Sequence, residues 1–400
     1  MISTQYNDVK QPKIIVISSV SPQPTSAGQV VLYRHLNQVD GWAVSIVPNP
    51  DDSKTYKWPT KFIKRLKYTR FHRWSHDLEV IDYGSNWDSV MLNYFQKPFN
   101  CQTDDKTIVL TVAHGDGCWA AQKFAQRYQL PLVSIFHDWW PDIPSVHQPL
   151  RQVLKKRFQQ LYQQSNLALC VSQGMKNALG SHPNSTVLFP IPAMLKEELT
   201  VRNQIANNEF LSPLRVIYSG NLYEYGAILA QLLQVTKENP KVHVQVRGSN
   251  PNWPADFRSE MRDRGLWLDF APREELNQWL AAADVFLVTM SFDPALRRRM
   301  ETSFPSKLTE YAQFGKPLVI WGPDYCSAIH WGRKGDRALC VTDKNPLVMV
   351  SALEKLKNSP EQQKCYAQQA KITALTEFKP HIIQNQFLER IENLLCTAQK

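Results

Sequence analysis

The sequence has no run of eighteen apolar residues, so a membrane-crossing helix is not expected. Its first twelve residues, MISTQYNDVKQP, lack the apolar centre of a secretory signal. Its seven cysteines are never closer than 14 positions, which leaves no CxxC pair and no zinc-ligand spacing. Their odd number and scatter suit a reducing cytoplasm. No Walker loop, HExxH, GxSxG, EF-hand loop or DxD motif occurs. Asp51-Asp52, Asp104-Asp105 and Asp293 lack suitable partners, so no metal site is expected. What is present is ordinary for a globular chain: 43% hydrophobic and 20% charged residues, which excludes disorder, collagen and coiled coil. At 400 residues the chain exceeds one compact core, and two domains are expected.

The charge is uneven. Residues 54–76 hold eight basic side chains (Lys54, Lys57, Lys61, Lys64, Arg65, Lys67, Arg70, Arg73) and no acid, against a net +10 for the whole. The other 38 basic residues nearly balance 36 acids. Tyr56, Trp58, Phe62, Leu66, Tyr68, Phe71 and Trp74 interleave with them. Such a segment suits an anionic membrane surface or, more plainly, an exposed helix with a solvated basic face. Nucleic acid is not expected, because no recognised binding motif accompanies the charge.

Short apolar runs alternate with helical patterns. Lys13–Ser18, Thr107–Val112, Pro131–Phe136 and Leu167–Val171 read as buried strands, with helices from about Gly28, over Ala120–Tyr128 and over Leu150–Gln164. A second strand series covers Arg215–Tyr218, Val242–Val246, Leu266–Phe270, Asp284–Thr289 and Pro317–Trp321. Alternation of this kind predicts an α/β fold of parallel sheets. A Pro-containing break and a polar stretch place the boundary near 195, giving domains 1–195 and 196–378 and a final helix over 379–400. Ligands of open parallel sheets bind outside the carboxyl ends of the strands, so loops there are the place to seek chemistry.

The most specific segment is Phe304 to Pro317, FPSKLTEYAQFGKP. Pro305 stands at an expected helix start, where it needs no hydrogen-bond donor. Free N–H groups of that turn, at Ser306 and beyond, attract phosphate, and Lys307 adds a positive charge. Glu310, one turn on, can accept two hydroxyl hydrogen bonds, as from a ribose. A plain capped helix fits the same residues.

This segment resembles the donor-site motif of GT-B glycosyltransferases, above all the retaining family-four (group 1) enzymes, whose P-[SN]-K-x-x-E-Y variant is matched by Pro305 to Tyr311. The resemblance implies two Rossmann-like domains facing a central cleft, with the C-terminal helix crossing back to the N-terminal domain. It assigns Glu310 to the nucleotide ribose. A further glutamate common in the family falls on Thr302, leaving the adjacent Glu301 as its candidate. Pro22 to Gly28 resembles the loop after the first strand, where Gly28 lets the backbone approach the sugar diphosphate. His137-Asp138 resembles the family's HD segment, which contacts the sugar, and Val171-Ser172 its VSxx turn. Tyr218 to Leu222 resembles the loop opening the second domain, with Gly220 and Asn221 beside the diphosphate. Members often carry arginine and lysine where this chain has Asn221 and Gly226, so two positive charges are missing. Lys307, Arg247 and the Arg297-Arg298-Arg299 run are the candidates to replace them, although the triple arginine reads first as a solvated loop.

Gly115 to Ala120 fits the dinucleotide pattern GxGxxA, with Asp138 18 residues further on. It lies mid-domain with a tryptophan beside the close-approach glycine, and is read instead as an acceptor-side wall presenting His114 and Asp116. The expected function is glycosyl transfer from a nucleotide sugar to a glycan, lipid-linked or small-molecule acceptor, with retention. Neither a metal nor another cofactor takes part, because such folds meet the leaving diphosphate with helix dipoles and positive side chains. A cytoplasmic protein, peripheral on the inner leaflet, would explain the basic segment. The alternatives are a non-catalytic nucleotide-sugar or glycan binder of degenerate fold and an NAD(P) oxidoreductase.

Overall fold

Uninterrupted apolar runs such as TIVLTV and LVSIF are what strands need when a parallel sheet is covered on both faces. The computed structural model describes residues 11–24, 27–50, 65–66, 68–83, 85–96, 106–195, 212–249 and 251–398. They divide into two units, Met1–Leu188 with Gln384–Lys400, and Phe189–Ile383. Both are Rossmann-like.

The first unit holds β1 (Lys13–Val16), β2 (Ala43–Ile46), β3 (Thr107–Val112), β4 (Leu132–Phe136), β5 (Leu167–Cys170) and β6 (Ser185–Val187). Their order is β2-β1-β3-β4-β5-β6, with every neighbouring pair parallel. Helix Gly115–Tyr128 packs on the sheet through Trp119, Ala120 and Phe124, and helix Gln148–Gln164 through Leu154, Phe158, Leu161 and Tyr162. Gln129, left-handed at φ 52°, ends the first of these, and its N–H returns to the carbonyls of Ala125 and Gln126.

The second unit holds β7 (Leu214–Ser219), β8 (Val242–Arg247), β9 (Trp267–Leu268), β10 (Val285–Thr289), β11 (Leu318–Trp321) and β12 (Leu339–Val341). The order is β12-β11-β10-β7-β8-β9, again parallel throughout. Each sheet therefore starts in its middle and winds outward both ways. Winding reverses between β1 and β3 in one unit and between β7 and β10 in the other. Those two points are where an open parallel sheet offers a crevice to a ligand.

Helix Pro380–Ala398 leaves the second unit and joins the first from Gln384 onward, as the fold class implies. The His35 Nδ1–H donates to Gln384 Oε1 at 3.0 Å, while Gln384 Nε2 donates to the carbonyls of His35 and Gln38 at 3.0 and 3.1 Å. The His35 ring lies 4.7 Å from that of Phe387, and Phe387 and Ile391 are wholly buried. Each such side chain contributes roughly 1.5–3 kcal/mol of burial. Among the described residues no helix is long and apolar enough to cross a membrane.

Candidate active site

β7 ends at Ser219, and Gly220-Asn221 turns the chain into helix Leu222–Thr236. Asn221 Oδ1 accepts from the N–H groups of Tyr223 and Glu224 at 2.8 and 3.3 Å, so this side chain caps the helix. The motif helix Ser306–Ala312 is tied to the same strand end. Tyr311 Oη accepts from the Ser219 N–H at 2.7 Å and donates to the Ser219 carbonyl at 3.0 Å. Its fully buried ring stacks on Phe286 of β10 at 4.4 Å. Burial pushes the Tyr311 phenol far up, so it keeps the proton it donates. One tyrosine thereby joins the motif helix to both strands of the switch point. The sequence motif contains Tyr311, but nothing in the spacing reveals this clamp.

Around it the charges are paired. Lys307 Nζ meets Glu310 Oε2 at 3.0 Å, with the carboxylate the less exposed partner. Glu301 receives Arg297 at 2.8 Å and Arg298 at 3.2 Å, and Arg299 pairs with Glu224 in the first turn of the helix after β7. The triple arginine is therefore a set of ion pairs, not a freely solvated run. Thr302 is wholly buried and donates to the Arg298 carbonyl at 2.9 Å, a helix-backbone contact. At Gly226 an added Cβ would stand 3.1 Å from Trp253 Nε1, which donates to the Gly226 carbonyl at 2.8 Å. The ring of Trp253 occupies the room a side chain at 226 would need.

Arg247, at the end of β8, is nearly buried. Its Nη1 donates to the Asp269 carbonyl at 3.2 Å and to Glu275 Oε1 at 3.0 Å, and its guanidinium sits 5.1 Å from the Trp279 ring centre. Arg247 Nε is buried with no partner among the described residues. Gly248 next to it touches the switch-point loop: a Cβ there would lie 2.3 Å from the Gly220 carbonyl oxygen.

In the first unit, β3 and β4 are neighbours, and their ends bring His114, His137 and Asp138 together. The His114 ring lies 5.8 Å from that of Trp140. Burial lowers the His114 pKa, and Asp138 opposes the shift. Burial takes His137 down to about 4, again against Asp138, with His114 lowering it further. Both imidazoles are neutral at pH 7. His137 Nε2 is buried and has no partner among the described residues. Such an orphan polar atom is costly in a closed core and natural where a ligand hydroxyl completes it.

The loop Gly115-Asp116-Gly117 has a packing cause. Gly115 takes φ 65°, and the Gly117 N–H donates to Ser19 Oγ at 2.8 Å. A Cβ on Gly117 would lie 2.2 Å from the Ser19 nitrogen. The glycine pattern seats this loop on the one after β1. Asp116 stands in the first turn of helix Gly115–Tyr128, where its charge suits the dipole. Gly28 is exposed in the first turn of helix Ala27–Leu36, and a Cβ there would meet nothing within 4 Å. Packing does not require that glycine. The preceding Thr25 and Ser26, and residues 54–64 and Lys67 of the basic segment, lie outside the described residues.

Residues 213–359 match the family model described as Glycosyl transferases group 1, a span that includes the tyrosine clamp and every donor-side candidate of the second unit. The whole chain is similar in structure to Anabaena Alr3699/HepE in complex with UDP, at TM-score 0.63 and 15% identity over 95% of this chain and 100% of that one. It is similar to the sucrose-phosphate synthase of Thermosynechococcus elongatus, at TM-score 0.64 and 13% identity over 97% and 100%. A UDP-forming α,α-trehalose-phosphate synthase of Burkholderia xenovorans, in complex with glucose-6-phosphate, gives 0.59 and 13% over 95% and 100%. No curated protein matches the sequence. At these identities the solved structures establish the fold. The protein has the GT-B fold, its second unit carries a group 1 glycosyltransferase domain, and its class is that of the glycosyltransferases.

Proposed function

We propose that the protein moves a sugar from a nucleotide-sugar donor to a glycan, lipid-linked or small-molecule acceptor, with retention at the anomeric carbon and without a metal or other cofactor. The observation that carries this reading is the clamp of Tyr311 on Ser219, which anchors the helix bearing Lys307 and Glu310 at the switch point of its sheet. Glu310 holds the ribose hydroxyls. Ser306 and the following N–H groups, with Pro305 setting the turn, meet the diphosphate. Lys307 and Arg299 supply positive charge there, exchanging their carboxylate partners Glu310 and Glu224 for phosphate oxygens. Gly220 and Gly28 allow close backbone approach. Arg247 serves the nucleotide side through its orphan Nε.

The bond from the anomeric carbon to the phosphate oxygen breaks, and a bond to the acceptor oxygen forms on the same face. The acceptor proton passes to the leaving phosphate, so no side-chain base is required. Rate enhancement comes from positioning and from charge at the leaving group. His137, neutral, completes its Nε2 with a sugar hydroxyl, and Asp138 orients it. His114 and Asp116 belong to the acceptor side. Glu301, held by two arginines, positions the Arg297–Arg299 turn.

The bound UDP of Alr3699/HepE makes UDP sugars the first donors to try. Thermal shift and calorimetry with UDP, GDP, ADP and TDP sugars are expected to show one binder, with affinity at least about tenfold weaker in Glu310→Ala, as for a lost charge-assisted hydrogen bond. Stabilisation by NAD(H) alone overturns the reading. A second reading, a binder without turnover, is favoured by Asn221 acting as a cap and by the closed site at Gly226. Release of nucleoside diphosphate from the bound donor, with or without acceptor, excludes it.

A further inference from the structure

Helix His72–Ile81 buries Ser75, Asp77 and Val80, and its anchors to the first unit are mostly polar. Asp77 accepts from the His147 N–H at 2.9 Å and pairs through its other oxygen with His147 Nδ1–H. The His76 Nδ1–H donates to the Ser145 carbonyl at 3.3 Å, and Arg157 donates to the Val80 carbonyl at 2.7 Å. The large apolar residues are mostly exposed, with one side of the Trp74 ring resting 5.1 Å from that of His147. Tyr68 is 92% exposed, Phe71 45%, Trp74 58% and Ile81 65%. Positions 71, 74, 78 and 81 follow the 3-4-3 spacing that lines one side of a helix. Arg65, Arg70 and Arg73 are exposed beside them, with the Arg70 guanidinium 4.9 Å from the Phe71 ring centre. Of the acids of this helix, Asp77 is held inward by His147 and Glu79 is half-buried.

A helix that turns tryptophan, phenylalanine and isoleucine outward while sending serine and aspartate inward is built for contact with something else. Its charge identifies what. Eight basic residues and no acid between 54 and 76 call for an anionic partner. Phosphates alone would satisfy the arginines but leave Phe71, Trp74 and Ile81 in water. A bilayer offers both at the right depths: lipid phosphates for arginine, the headgroup boundary for aromatic rings, and acyl chains for isoleucine.

We propose that Tyr68, Phe71, Trp74 and Ile81, with Arg65, Arg70 and Arg73, form a docking surface for an anionic lipid bilayer. The surface is independent of donor binding, and its test succeeds or fails separately from that of Glu310. The full chain is sedimented with phosphatidylcholine vesicles, with and without phosphatidylglycerol. Binding is expected only with phosphatidylglycerol, and to weaken as salt rises. Arg70→Gln with Arg73→Gln is expected to weaken it about thirtyfold, at about 1 kcal/mol for each cation against an anionic leaflet. Phe71→Ser with Trp74→Ser is expected to abolish it. Arg70 and Arg73 are exposed, so the melting temperature of the arginine variant should match the parent. The Phe71/Trp74 variant, which loses the Trp74 contact with His147, is sedimented well below its own melting temperature. The proposal is overturned by no sedimentation with phosphatidylglycerol, or by variants that sediment like the parent. A dimer in light scattering that the Phe71/Trp74 variant dissolves, or RNA that competes the protein off vesicles through the same residues, overturns it as well.

Discussion

His35 shows how one side chain records the folded state in its acidity. It is fully buried, gives its Nδ1–H to Gln384, and titrates at about 4 instead of its usual 6.5, chiefly through burial. The unfolded chain therefore takes up this proton first as pH falls. The contribution is complete above pH 6.5 and declines as pH falls to about 4, by on the order of 3 kcal/mol. Denaturant midpoints measured from pH 7.5 to 4 should fall accordingly, and the fall should be shallower in His35→Met. Gly117 makes an opposite kind of claim, about space. Its missing Cβ would lie 2.2 Å from backbone, so Gly117→Ala is expected to cost roughly 2–4 kcal/mol in denaturant unfolding. A dinucleotide-site glycine would instead show its loss in cofactor affinity.

At the level of helices and strands, the Tyr311 phenol is the joint most open to test. Tyr311→Phe keeps the stacking on Phe286 and removes both bonds to Ser219, at a cost of about 1–3 kcal/mol by denaturant unfolding. Donor affinity in calorimetry should fall with it, because the Gly220 loop loses its brace. The interior strands were legible because burial on both faces writes an apolar run: β3, β4, β5, β7, β8, β10 and β11 all fall inside or beside expected spans. The edges were not. β2 (AVSI) and β6 (STV) are short and partly exposed, β12 (LCV) is apolar but only three residues long, and β9 keeps only Trp267 and Leu268 of an expected five residues. The motif around Glu310 was readable as residues. Arg297 and Arg298 share Glu301 at the i,i+4 and i,i+3 spacings of one helix, which the sequence contained. What was not readable is the pair of Arg299 with Glu224, because it depends on helices 75 positions apart meeting at one strand end. For the same reason the glycines at 115 and 117 looked like a ligand loop until Ser19 appeared against them.

On the scale of the whole molecule, the returning helix Pro380–Ala398 sets which parts depend on one another. Phe387→Ala empties a fully buried site and should cost about 3–5 kcal/mol. Hydrogen exchange should then quicken in helix Ala27–Leu36, while β7, β10 and β11 keep their protection. The sequence pattern made 379–400 helical, but its destination came only from the fold class. The same return has a consequence for synthesis. Residues 189–383 form one unbroken stretch of the second unit, while the first is completed only by 384–400. Domains usually finish in the order they are made. Here the earlier unit needs the residues made last, so a chain truncated after residue 383 would carry a complete second unit and an unfinished first one.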